Sequence, residues 1–223
     1  MEIDELKQTW EAYDRKLDKS LRLNIQLLKK VNFGKVNNRA TTLLIYKILE
    51  LFILFGFFNI LLSFIVENLI VVHLLIPAII TISFIIIGLV SDIRQVILII
   101  QIRTNNTAPV TSLQKKLGKL KLLIVNYVKY SLLSIPLYPI LLIPGAKIIW
   151  DMDMWSPNHR AYLMANIVVG LILMPVFLWL YAQLGKNNLG QLWVRNFLSG
   201  SGWNQANSAQ QFLTEIEEFE KEE

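Results

Sequence analysis

The chain has 223 residues, 54% of them hydrophobic, no cysteine and a formal net charge of +5. A soluble domain of this length buries its apolar residues as periodic stripes. Here they are gathered in long blocks, which excludes an ordinary water-soluble fold, and the lack of cysteine excludes a disulfide framework, a thiolate metal site and a cysteine nucleophile.

Residues 2–36 read as one long helix. Ile3, Leu6, Trp10, Tyr13, Leu17, Ser20, Asn24, Leu27 and Val31 alternate at spacings of three and four, the a/d stripe of a heptad pattern, with Asn24 at an a position. Leu21, Ile25 and Leu28 broaden the stripe, so packing into a bundle fits as well as a two-stranded coil. Acidic residues mark the start of this helix and basic residues its end, which suits the helix dipole. The face of Ile3, Leu6, Trp10, Tyr13 and Leu17 is a candidate partner-binding surface.

Four apolar blocks follow at about 43–66, 69–91, 122–146 and 162–184. Each supplies the roughly 20 residues that cross a ~30 Å hydrocarbon layer. The expected architecture is therefore all-α: a polytopic membrane protein of four transmembrane helices with a cytosolic helical bundle. Residues 1–42 form a cytosolic amphipathic helix and 43–91 a transmembrane hairpin with a tight turn at Glu67-Asn68. Residues 92–121 form a cytosolic helical hairpin, and 122–184 hold spans three and four with an outer loop at 147–160. Residues 185–223 form an interfacial segment and an acidic C-terminal helix. Polar residues 1–42 carry no cleavable signal peptide, so the first span is expected to direct its own insertion.

Within this plan, Thr104 to Pro109 breaks the chain, and Thr111 with Gln114 reads as a capping box for the next helix. Pro136, Pro139 and Pro144 are expected to bend span three. After span four, Leu189, Leu192, Trp193, Phe197 and Leu198 suggest an interfacial helix. Ser208 with Gln211 reads as a second capping box. Phe212, Ile216 and Phe219 share a face of the last helix, whose carboxylates either contact basic residues of the first helix or middle hairpin, or are solvated.

Charge sets the expected orientation. Nine Lys and Arg precede Leu43, six lie between Ser91 and Leu122, and three follow Leu184, whereas Lys147 and Arg160 alone lie in the third–fourth loop. Eighteen against two places both termini and the middle loop in the cytosol of a cell whose inner (cytoplasmic) membrane the chain crosses. The same rule accounts for the basic balance without nucleic acid, which is not expected as a partner.

Chemical motifs are few. No Walker loop, dinucleotide fingerprint, GxSxG or HExxH is present, so neither an enzyme nor a cofactor is expected. His73, Asp151, Met152, Asp153, Met154 and His159 carry metal-capable groups near the outer side, but their spacing fits no metal-binding pattern, and Trp150 and Trp155 read as interfacial anchors. Glu50 and Lys129 are charges placed at similar depth in the inner half of the bilayer. They form a possible intramembrane ion pair, with Lys47 as a rival partner for Glu50 at i,i+3.

The opening Glu2-Ile3-Asp4-Glu5-Leu6-Lys7-Gln8-Thr9-Trp10, the middle Ala108-Pro109-Val110-Thr111-Ser112-Leu113-Gln114-Lys115-Lys116-Leu117 and the closing segment 212–222 resemble an uncharacterised family of small four-span membrane proteins of Bacteroidota. The likeness covers nearly the whole chain. It implies encoding near extracytoplasmic-function sigma factors, and so an anti-sigma-like or accessory regulatory role, but no functional residue. The expected function is regulation or scaffolding, with the cytosolic module binding a protein, a sigma factor first among candidates, or another copy of itself. The alternative is a small transporter or channel using Glu50 and Lys129.

Overall fold

The structure is a computed structural model that describes residues 3–104, 110–184, 188 and 191–221. All regular elements among them are helices: α1 Ile3–Glu67, α2 Val72–Thr104, α3 Val110–Ser134, α4 Tyr138–Trp150, α5 Pro157–Gln183, α6 Leu192–Leu198 and α7 Trp203–Lys221, with a 3-10 turn at Ser199–Ser201 between the last two.

The longest element runs through the expected boundary at residue 42 without a break. The N-terminal helix and the first span are one unbroken helix of 65 residues, about 97 Å at 1.5 Å per residue. The polar stretch at the junction does not interrupt it, because Thr41 and Thr42 donate to the carbonyls of Asn37 and Asn38 (2.8 and 3.1 Å). These hydroxyls thus satisfy themselves on the preceding turn.

α1, α2 and α5 are each long and apolar enough to cross a bilayer, and α3 with α4 makes a fourth crossing if this pair counts as one bent span. The apolar windows of α1 and α5 are only 11% buried within the protein, so most of that surface is left for lipid. The bend between α3 and α4 is 75°. Pro136 lies in the break and Pro139 at the start of α4, where its missing N–H costs nothing.

Gly170 of α5 fits against this break. A Cβ there would stand 2.6 Å from the Pro136 carbonyl oxygen and 3.1 Å from the Pro139 ring. Small residues allow such backbone approach between membrane helices. Gly170→Ala must push the backbone of the break aside and is expected to cost about 1–3 kcal/mol. Thermal unfolding of purified protein in detergent measures it; an unchanged midpoint would show that α5 does not need this contact.

Three apolar cores hold the helices together. The first joins α1, α2, α3 and α7 through Val36, Leu43, Ile99, Leu113, Leu117 and Ile216 among others. It lies on the side bearing both chain ends, hereafter the basic side. The second, at the opposite end, joins α1, α2, α4 and α5 around Leu61, Phe64, Ala78, Ile143 and Leu163. The third seats α6 and the start of α7 on α3 through Val125, Leu132, Val194, Leu198 and Trp203.

Both expected helix caps are displaced. α3 is already helical at Val110, so Thr111 lies in its first turn; the break at 105–109 lies outside the described residues. α7 starts at Trp203, five residues before Ser208, because Gly202 takes a left-handed conformation (φ 90°) and reverses the chain there. The long loop expected at 147–160 is mostly helical, since α4 runs to Trp150 and α5 starts at Pro157. α6 packs through the buried Val194 and Leu198 and leaves Leu192 exposed. Leu189 lies outside the described residues.

Candidate functional site: a buried ionic centre beside a cavity

Along α2, Gly88, Asp92, Gln95, Ile99 and Ile102 are all buried. Their spacing of four and three keeps them on one helix face, so a carboxylate and an amide lie on the packing stripe. Both are fully enclosed. From α1, Lys47 reaches across to them. Its ammonium donates to Asp92 Oδ1 at 2.8 Å and to Glu50 Oε2 at 2.6 Å, and lies 4.5 Å from the centroid of the Tyr127 ring. The Tyr127 hydroxyl of α3 donates to the other Glu50 oxygen at 2.5 Å. Three helices are thereby tied by one lysine, two carboxylates and a phenol.

The depth of this centre follows from helix lengths. Twenty residues separate Lys47 from the α1 terminus at Glu67, and twenty separate Asp92 from the α2 start at Val72. Both intervals are about 30 Å, the thickness of the hydrocarbon layer. If α1 and α2 cross a bilayer, the centre lies where the layer ends on the basic side.

Its charges do not balance. One lysine faces two carboxylates, and the acceptors outnumber the donors. Asp92 Oδ2, Gln95 Oε1 and Gln205 Oε1 are buried without a hydrogen-bond partner, while the Gln95 amide donates to Ser91 at 3.2 Å. The Trp203 indole N–H is also without a partner, but Trp203 belongs to the third core, with Lys121 5.1 Å from its ring.

Lys129 stands apart. Its ammonium lies 4.7 Å from the Tyr181 ring centroid, towards α5. Residues 127 and 129 are about 200° apart around a helix, so the turn that points Tyr127 at Glu50 points Lys129 away. Depth alone does not pair two charges; azimuth decides the partner, and Glu50 is held by Lys47 and Tyr127.

A cavity of about 600 Å³ opens beside the centre. Lys47, Glu50 and Tyr127 form its polar side, Tyr46 and Phe197 stand on its aromatic side, and the turn 199–202 with Gln205 closes it. Gly202 is required at that turn both by its φ and because Leu43 lies 3.1 Å from where its Cβ would be.

The other sequence candidates are scattered. Trp10, Tyr13 and Leu17 are exposed on α1, where with Asp14 they are the described residues that line a cavity of about 350 Å³; the side chains of Ile3 and Leu6 lie outside the described residues. In α7, Ile216 is fully buried and Phe212 half-buried under Lys35 (5.0 Å to the ring); the Phe219 side chain lies outside the described residues. Glu215 accepts from the buried Asn32 amide at 3.2 Å, which ties the acidic helix to α1.

On the far side, His73 Nε2 is 3.1 Å from Asp153, His159 pairs with Ser156, and Lys147 holds Asp151. Partial burial alone raises the Asp153 carboxyl, but the Trp155 amide, His73 and Lys147 together hold it below the ordinary carboxylate range. No group of three or more metal-capable side chains converges among the described residues.

Comparison with protein-family models, curated proteins and solved structures finds no match to this chain. Its chemistry has to be read from its own residues.

Proposed function

We propose that the chain is an integral membrane docking protein, its termini cytosolic, which presents the N-terminal part of α1 to a second copy of itself. One observation carries this reading: the span and the docking helix are a single rod, and every described side chain from Lys7 to Val31 is exposed. Trp10, Tyr13, Leu17, Leu27 and Val31, all on the a/d stripe, are exposed there. Five large apolar residues left in water on one face mark an interaction surface.

A second copy suits that surface. Two copies inserted in the same sense in one bilayer bring these rods together parallel and in register. Parallel pairing sets Asn24 against its own counterpart at an a position, the arrangement that selects register and two strands. The rest of the bundle then serves to hold the rod upright: α7 clamps α1 from Asn32 to Leu43. A sigma factor, which the family resemblance implies, is the competing occupant of the same face.

Cross-linking of the full-length protein in membranes tests both. Dimer yield is expected to fall at least about tenfold in the Trp10→Ala, Leu17→Ala double variant, since two exposed anchors at about 1 kcal/mol or more each are lost. An unchanged yield refutes pairing through this face, and capture of a sigma factor in place of the dimer reassigns the occupant. A transport reading has less support, because Glu50 and Lys129 face different helices; proteoliposome flux sensitive to neutralising both would restore it.

A further inference from the structure

The cavity at the ionic centre is distinct from the docking face, and its chemistry points to a ligand class. Its lining contains two charged residues, Lys47 and Glu50. Lys47 is already committed to both Glu50 and Asp92 and is nearly enclosed. Asp92 stands behind it, adding a second negative charge with one oxygen unpartnered. The region therefore lacks one positive charge. Asp92 Oδ2 and Gln205 Oε1 are moreover enclosed acceptors without partners. Buried acceptors of this kind are costly unless something donates to them.

An anion is therefore the wrong occupant. A cation supplies the missing charge, and Tyr46 and Phe197 supply aromatic faces of the kind that hold ammonium groups. A proton on Asp92 would balance the charge but would leave the aromatic walls without a role. We propose that the cavity binds a primary ammonium group, with Glu50 as its counter-anion and Tyr46 and Phe197 as its aromatic walls. The centre lies at the level where the hydrocarbon gives way to headgroups, and both aromatic side chains are substantially exposed towards that level. The amine-bearing headgroup of a phospholipid such as phosphatidylethanolamine is thus the natural source, and a free amine in solution is the other.

Native mass spectrometry of the full-length protein in detergent, with added phosphatidylethanolamine, phosphatidylglycerol or ethanolamine alone, separates these. The proposal expects phosphatidylethanolamine to be retained at least about tenfold better than phosphatidylglycerol. Glu50→Gln, which keeps shape and removes charge, is expected to abolish that preference. Phe197→Ala, at a half-exposed site that leaves the cores intact, should weaken retention about threefold, as expected for loss of one cation–aromatic contact. Ethanolamine binding that depends on Glu50, without any lipid preference, supports the ammonium site and assigns it to a soluble amine. Equal retention of both lipids with no ethanolamine binding overturns the proposal. So does a preference that survives both substitutions. Should Glu50→Gln fail to fold, Phe197→Ala alone decides.

Discussion

Lys47→Met is expected to destabilise the protein by about 3–5 kcal/mol, the usual cost of removing one partner from a buried ion group. The methionine fills the lysine's space, so packing loss is small. What remains is a fully buried Asp92 without its cation and a Glu50 supported by Tyr127 alone. Denaturation of the purified protein in detergent, followed by tryptophan fluorescence, reports the loss. The companion variant Lys47→Met with Asp92→Leu removes charge from both sides and is expected to regain most of the stability. If the single variant unfolds at the wild-type midpoint, the centre is solvated and contributes little. If the double variant is no better than the single, the lysine acts through its packing on Tyr127 rather than through Asp92.

The centre also shows what could be read from sequence and what could not. The apolar blocks announced the apolar parts of α2 and α5, because hydrophobic length is a one-dimensional property, although α2 runs on to Thr104 and α5 begins at Pro157. The ionic partners were hidden because partnership depends on which face of each helix meets which neighbour. Asp92 follows Ser91 at the edge of an apolar block, where an acid looks like the start of a solvated extension. Yet Gly88, Asp92, Gln95, Ile99 and Ile102 form a four–three stripe continuous with apolar positions, and that register is legible. An acid and an amide on such a stripe signal a polar contact between helices. Tyr127 carried no comparable signal, since an aromatic in a span reads as bulk. The Thr111 and Ser208 caps misled for a different reason: a short polar motif marks a helix start only where the preceding backbone is not already helical. At Ser208 the deciding residue was Gly202, whose left-handed turn restarts the helix earlier.

The C-terminal helix offers the second large effect. Leu213 and Ile216 are fully buried in the core shared by α1, α2, α3 and α7, although the surrounding sequence is strongly acidic. Each truncation to alanine is expected to cost about 2–5 kcal/mol; their shared neighbours make the pair less than additive. Among the described residues, α7 has few other anchors towards its end: Glu215 on Asn32, and Phe212 beneath Lys35. Leu213→Ala with Ile216→Ala should therefore release the end of α7 from α1 while the membrane helices stay folded. The chain has no cysteine of its own, so a pair introduced as Asn32→Cys and Glu215→Cys can be joined by a short bifunctional maleimide without background. Cross-linking is expected to be efficient in the otherwise wild-type protein and to fall at least about fivefold in the double alanine variant. Retained cross-linking would mean that polar contacts hold the helix. Release would also bear on the proposed pairing, because α7 packs along α1 from Asn32 to Leu43. Loss of this packing should then lower dimer yield even with Trp10 and Leu17 intact, linking the C-terminal helix to the docking face through rigidity alone.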